Sequence, residues 1–199
     1  MGAFSTYNIF GKEVKINDSF LAACLLDELT DDDLFSDVEK TAIAAQIVLD
    51  NTDDFAKVFR DETPKALHEV LVQAFGAEGK SSGTSKVDLQ QDRARIKATM
   101  RMAYSMSAEE LASTPYRDIV DLIAMSPHET PMGQALYYRT AKRPKQTKYN
   151  KEELAAFDKA KRFYKLKSPK VNEDAMQQAQ NELENAFKKM VKENGRWRR

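Results

Sequence analysis

The sequence predicts a mainly α-helical fold with a small N-terminal β-hairpin and an amphipathic C-terminal helix. Three observations predict it. Apolar residues recur at three- and four-residue spacing through most of the chain, the period of a helix face. Cap signals, in which Ser, Thr, Asp or Asn precedes a helical pattern, punctuate the same stretches. The 199 residues hold only seven Gly and six Pro, too few for the many turns of an all-β fold.

The hairpin comes first. Two β-prone runs within residues 6–16 flank Gly11 and Lys12, and Val14 and Ile16 alternate with Glu13 and Lys15. A lone hairpin is marginal in water, so it is expected to pack on the helices that follow. Asn17 or Asp18 is expected to cap a helix running to Leu29, after which Asp31, Asp32 and Asp33 form an acidic loop. Ser36 and Glu39 have the spacing of a capping box for a helix running to Leu49. Phe55, Val58 and Phe59 mark a short amphipathic stretch. Thr63-Pro64 reads as a cap followed by Pro at the first helical position. Leu67, Val70, Leu71 and Phe75 supply that helix's apolar stripe, and Gly76 is its expected stop.

Residues 76–86 concentrate Gly and Ser and read as a flexible linker. The Gly and Lys spacing of a phosphate-binding loop is not present. Beyond it, Asp88 and Gln91 open a helix with Leu89, Ile96, Met100 and Ala103 on one face. Ser107 and Glu110 make a second capping box. Thr114-Pro115 and Thr130-Pro131 are two further expected starts. Ile119, Val120 and Ile123 point inward after the first, and Met132, Leu136 and Tyr137 follow the second. A basic connector over residues 139–149 leads to a helix capped by Asn150 with Glu153 and carrying Leu154, Phe157, Lys161 and Tyr164. Asn172 is expected to open the last helix, with Met176, Ala179, Leu183, Ala186, Phe187 and Met190 as its stripe. The chain thus divides into an acidic hairpin-and-helix region (1–76), a linker (77–87), a central helical region (88–140) and a basic C-terminal region (141–199). Together they read as one composite domain.

Charge is strongly divided although the total is zero. Residues 1–64 hold 5 Lys and Arg against 14 Asp and Glu, whereas residues 139–199 hold 18 against 8. Such asymmetry fits a chain that pairs head to tail or offers two faces to different partners. No apolar run approaches the ~20 residues of a membrane span, and nothing after Met1 reads as a signal peptide. Cys24 is the only cysteine, so no intramolecular disulfide is expected, and its apolar setting marks it as a small buried hydrophobe. His68 and His128 are the only histidines, and neither stands among residues that would make a metal site or a catalytic pair. The acidic loop lacks the ligand order and central Gly of a calcium-binding hand. No catalytic residue, cofactor or metal is expected, and the chain reads as a non-enzyme.

The densest local signal is basic. Arg139, Lys142, Arg143, Lys145, Lys148, Lys161, Arg162 and Lys165 are interleaved with Tyr138, Tyr149, Phe163 and Tyr164. Cations with aromatics can bind nucleic acid by phosphate pairing and base stacking. Here the aromatics fall at helix-face positions, where packing explains them, and zero net charge gives little long-range attraction to a polyanion. An intramolecular or protein-partner role is therefore favoured. The candidate partner-binding residues are Arg139, Lys142, Arg143, Lys161, Arg162 and Tyr164 on the basic side, and Asp31, Asp32 and Asp33 on the acidic side.

Two stretches carry a family resemblance. The first is Asn8-Ile9-Phe10-Gly11-Lys12-Glu13-Val14-Lys15-Ile16-Asn17-Asp18-Ser19-Phe20, followed by Leu25-Leu26-Asp27-Glu28, Asp31-Asp32-Asp33-Leu34 and Glu39-Lys40. The second is Tyr137-Tyr138-Arg139-Thr140, then Tyr149-Asn150-Lys151-Glu152-Glu153 and Lys161-Arg162-Phe163-Tyr164-Lys165-Leu166. In order and spacing, over most of residues 7–166, they resemble the gene product fifteen family of tailed bacteriophages. The resemblance implies a tail assembly chaperone encoded beside the tape measure gene. It implies the tape measure protein and the tail tube protein as partners; the charge division adds self-association as a further option. It also implies work in the host cytoplasm and absence from the mature virion. A tape measure protein is long, helical and apolar on one side before the tube encloses it. Its chaperone needs amphipathic helices and adaptable apolar grooves, not an active site. Methionines on helix faces, among them Met100, Met102, Met106, Met125 and Met132, are candidates for such adaptable surface. The alternative is a nucleic-acid-binding phage accessory protein that uses residues 139–170.

Overall fold

Two antiparallel strands, β1 (Phe4–Ile9) and β2 (Lys12–Asn17), open the chain. Nine helices follow among the described residues: α1 (Phe20–Thr30), α2 (Asp37–Val48), α3 (Thr52–Phe59), α4 (Thr63–Phe75), α5 (Leu89–Tyr104), α6 (Ala108–Ser113), α7 (Tyr116–Ala124), α8 (Pro131–Thr140) and α9 (Lys151–Tyr164). The structure is a computed structural model that describes residues 4–76, 86–147 and 149–167. Residues 77–85 of the predicted linker (77–87) and the predicted last helix from Asn172 lie outside the described residues. The mainly helical class with an N-terminal hairpin is as the sequence predicts.

The hairpin turn is Phe10-Gly11, one residue earlier than the sequence reading placed it. Both residues have positive φ (50° and 80°), the backbone that a two-residue hairpin turn of matching twist demands. Gly11 takes that conformation without strain, and its amide donates to the Asn8 side chain. Tyr7 consequently pairs with Val14, and Ile9 with Lys12. This register sets Tyr7, Ile9, Val14 and Ile16 on one face, and a slip of one residue would turn the two apolar residues of the slipped strand to solvent.

That face closes a first core with Val48, Leu49, Phe55, Phe59, Leu67 and Val70. A second core joins Phe20 and Cys24 of α1 to Ile96, Met100, Leu111, Ile119, Ile123 and Met132. Each such side chain contributes roughly 1.5–3 kcal/mol by leaving water. The chain between the hairpin and α1 holds the two cores together. The Phe20 amide donates to the Thr114 carbonyl (2.8 Å) and the Tyr116 amide to the Asp18 carbonyl (2.7 Å). Asp18 is buried and accepts from the Ser5 hydroxyl (3.0 Å) and the Tyr7 hydroxyl (2.8 Å). Burial and that carboxylate push the Tyr7 phenol up to about 12. Asp18 is therefore a bridge and not a cap. Ser19 caps α1, accepting from the Ala22 amide.

Both predicted capping boxes form, at Ser36 with Glu39 and at Ser107 with Glu110. The three Thr-Pro pairs do not behave alike. Thr130 caps α8 with Pro131 in its first turn, as the pattern predicts. Thr63 already lies inside α4, which continues from a short 3-10 turn over Arg60–Glu62. Pro115 itself occupies the cap position of α7, because residues 114–116 pair with the chain before α1. Asn150 does not cap α9 through its side chain. Its amide instead ties back to the connector, donating to the Lys145 carbonyl and accepting from the Thr147 amide. Val120, expected inside, is exposed.

Candidate partner-binding surfaces

Three helices each offer a row of side chains at helical spacing to one open cleft of about 490 Å³. Ala23, Leu26, Asp27 and Thr30 come from α1, Asp37, Lys40, Thr41 and Ala44 from α2, and Leu67, Leu71 and Phe75 from α4. Leu89 and Tyr116 close its end. Leu67, Leu71 and Phe75 belong to the first core or pack against it, whereas Leu89 and Tyr116 pack against the second. The cleft therefore lies on the seam between the cores, where the Phe75 and Tyr116 rings meet at 6.1 Å. Its size falls within the ~300–1,000 Å³ typical of binding pockets. Large apolar side chains are also exposed just before and at the start of α2. Leu34 is 89% exposed, Val38 81% and Phe35 40%.

The rim of the cleft is acidic. Burial raises the Asp27 carboxyl above its ordinary value, and the nearby charges of Asp88, Asp31 and Glu28 raise it further, against a hydrogen bond from Gln90 that lowers it. Asp31 accepts from Gln90 (3.0 Å), and Asp32 accepts from the Leu34 amide (2.8 Å). Asp33 is exposed. Of the three loop carboxylates, Asp31 thus stands near Asp27 and the start of α5. Lys40 is the cation in the lining, and it donates to the Thr30 carbonyl at 2.9 Å.

The basic side is organised differently. Arg139 does not face solvent. Its guanidinium meets Asp92 of α5 through two bonds of 2.6 and 2.7 Å and donates to the carbonyls of Lys86 (2.7 Å) and Tyr164 (2.6 Å). Asp92 also receives Arg95 at 2.9 Å and the Asp88 amide at 3.1 Å. Tyr164 stacks on Tyr138 with centroids 5.5 Å apart and donates to Gln134 (2.7 Å). Lys161 reaches the Ala141 carbonyl (2.7 Å) and lies over the Phe157 ring. Arg143 forks onto Asp158 at 2.9–3.1 Å, and its hydrogen bond lowers the Asp158 carboxyl. Arg162 donates to the Asp158 carbonyl, and Lys142 is exposed. These contacts bring Arg139, Lys161 and Tyr164 together at the junction of α8 and α9. They do not bring the basic side to the acidic loop. Among the described residues, no ion pair joins Asp31, Asp32 or Asp33 to residues 139–165.

The sequence reading singled out neither Asp27 nor Asp92. Both sit on predicted helices, where a carboxylate reads as a solvated position. Cys24 is buried and free, and burial raises its thiol. His68 is exposed, and His128 packs edge-on against Tyr137. Met100 and Met132 are core residues, whereas Met102 and Met125 are exposed. Among the described residues, no group of three or more His, Cys, Asp and Glu could hold a metal ion, and no helix is long and apolar enough to cross a membrane.

Residues 3–166 match the family described as Bacteriophage Gp15 protein. Comparison with curated proteins and with solved structures gave no match.

Proposed function

We propose, for a chain that belongs to the bacteriophage Gp15 protein family, the role of a non-enzymatic tail assembly chaperone. It acts in the host cytoplasm, engages the tape measure protein or tail tube subunits while the tail is built, and is left out of the finished virion. The observation that carries this reading is the open, largely apolar cleft on the seam between the two cores. A chaperone of this kind must cover apolar helical surface on its client reversibly. An open groove suits that task better than an enclosed pocket.

The basic segment gives less support to a nucleic-acid role. Arg139 is held by Asp92, Arg143 by Asp158, and Tyr164 is stacked on Tyr138, so their charges and ring faces are already engaged within the fold. Base stacking needs free aromatic faces, and phosphate pairing needs free cations.

Co-expression tests the proposal. The tape measure protein produced alone is expected to be largely insoluble. Produced with this chain, it is expected to stay soluble and to co-purify with it. Failure of the two proteins to associate at any salt concentration, with tail tube subunits equally unbound, contradicts the role.

A further inference from the structure

The cleft has a property that its apolar floor does not explain. Asp27 is half-buried in its wall, with Asp31, Glu28 and Asp88 near enough to disfavour its charge. Apart from the hydrogen bond from Gln90, its neighbours supply little relief. Lys40 is turned to the Thr30 carbonyl, and Arg93 pairs with Glu28. A half-buried carboxylate crowded by like charges is stabilised by any cation that reaches it.

We infer that this cleft binds one amphipathic helix of a partner protein, its apolar stripe seated on Leu26, Leu71 and Phe75 and a Lys or Arg beside that stripe paired with Asp27. The inference rests on the chaperone reading and specifies the kind of segment that such a chaperone holds. The rows on α1, α2 and α4 repeat at helical spacing, so a helix laid across them can insert side chains at positions i, i+3 or i+4, and i+7. The sign of the flank follows from the rim. Asp27 and Asp37 line the cleft, and Asp31 and Asp88 stand near Asp27, so an acidic helix meets repulsion there. A wholly neutral helix would desolvate Asp27 without pairing it. The chain's own described basic helix is not free to be the occupant in a second copy. Leu154 of α9 is buried, and Phe157 and Tyr164 pack against Tyr138 of α8.

The probe is a labelled synthetic helix of about 20 residues, built of Leu, Ala and Lys with one apolar stripe flanked by Lys. A sibling carries Glu in place of Lys. Both are titrated with the full chain at physiological salt and followed by fluorescence anisotropy. The Lys helix is expected to bind saturably, and the Glu helix at least about tenfold more weakly. Thr41→Trp, which fills the mouth of the cleft from an exposed position, should abolish binding. Asp27→Asn should cut the preference for the Lys helix by about tenfold. Asp53→Asn, an exposed change on α3 outside the cleft, should alter nothing. Circular dichroism confirms that each variant is folded.

Equal affinity for both helices, or indifference to both Thr41→Trp and Asp27→Asn, overturns the inference. So does a self-associating chain whose dimer is broken by Thr41→Trp, because the cleft would then belong to a second copy. If tape measure protein still co-purifies while the Lys helix fails to bind, this inference fails alone. If the Lys helix binds as expected but no tail protein associates, the chaperone reading fails alone.

Discussion

Asp92 and Arg139, 47 residues apart in sequence, form a two-pronged ion pair with the Asp92 side chain fully buried and that of Arg139 only 7% exposed. The pair joins the start of α5 to the end of α8. Because Arg139 also donates to the Tyr164 carbonyl, it fixes the end of α9 as well. No buried side-chain nitrogen or oxygen among the described residues lacks a partner, so the charge at Asp92 is fully answered. Replacing Arg139 by Met leaves a buried carboxylate with Arg95 and the Asp88 amide as its remaining partners. Loss of one partner of a buried pair costs about 3–5 kcal/mol. Urea unfolding should show a loss of that size, and Arg139→Lys should recover only part of it, since an ammonium cannot reproduce the fork. Stability within about 0.5 kcal/mol of wild type in Arg139→Met would contradict this assignment.

The same pair sets an acid limit on stability. Burial alone would raise the Asp92 carboxyl, but the hydrogen bond from Arg139, the Asp88 amide, the Arg139 charge and the Arg95 bond together lower it. A carboxyl whose folded value lies below its unfolded one, about 3.9, stabilises the fold above that pH. The contribution fades as pH falls through the lower folded value. Chemical unfolding from pH 6 down to pH 2 should therefore show a falling limb below about pH 4. In Asp92→Asn that component of the slope should be missing. An identical slope in the two proteins would assign the acid limb to other carboxylates.

Asp27 should behave in the opposite sense. Its folded value is raised, so its contribution to stability is present below about pH 4, its unfolded range, and is lost as pH rises through the folded value. Asp27→Asn is then expected to melt at a higher temperature than wild type at pH 7. The difference should vanish at pH 3, where both side chains are neutral. Thermal melts at the two pH values check this. A lower melting temperature at pH 7 would show that the carboxylate is a structural ligand within the fold.

Gly133 tests the packing of α8. A Cβ at this position would lie 2.0 Å from the Pro127 carbonyl oxygen, a backbone atom with no side-chain freedom to yield. The turn is pinned there, because the Thr130 hydroxyl donates to that same carbonyl and the Met132 amide donates to Thr99. Gly133→Ala should destabilise by at least about 1–3 kcal/mol despite the better helix propensity of Ala. A thermal melt unchanged or raised in this variant would show that the turn can move.

Much of the fold was legible because its signals are local. The capping boxes at Ser36 and Ser107 need only a hydroxyl and a Glu three residues on, and both form. Gly76 stops α4 in the left-handed conformation that its lack of Cβ allows. The misreadings have tertiary causes. Asp18 looks like a cap by position, but Ser5 and Tyr7 across the hairpin claim its carboxylate. Pro115 looks like a first helical residue, but pairing with the chain before α1 moves the helix start. The candidate surfaces were the least legible. Helical period shows that Leu67, Leu71 and Phe75 share a face, but not that the outer part of that face is left uncovered. A charged residue on a helix reads as solvated, so Asp92 gave no sign of burial, and its partner lies too far along the chain for any local pattern to reveal. Arg139 was noticed as one of a basic run, and its inward role follows only from the packing of α8 against α5.

The central claim, assembly of a tail without becoming part of it, is tested most directly in infection. A phage carrying an early stop codon in this gene is grown beside the wild type, and particles and lysates are analysed by electron microscopy and mass spectrometry. Filled heads without tails are expected in the mutant, with tape measure protein in the insoluble fraction, and purified wild-type virions are expected to lack this chain. Normal tails in the mutant, or stoichiometric amounts of this chain in wild-type tails, would contradict it.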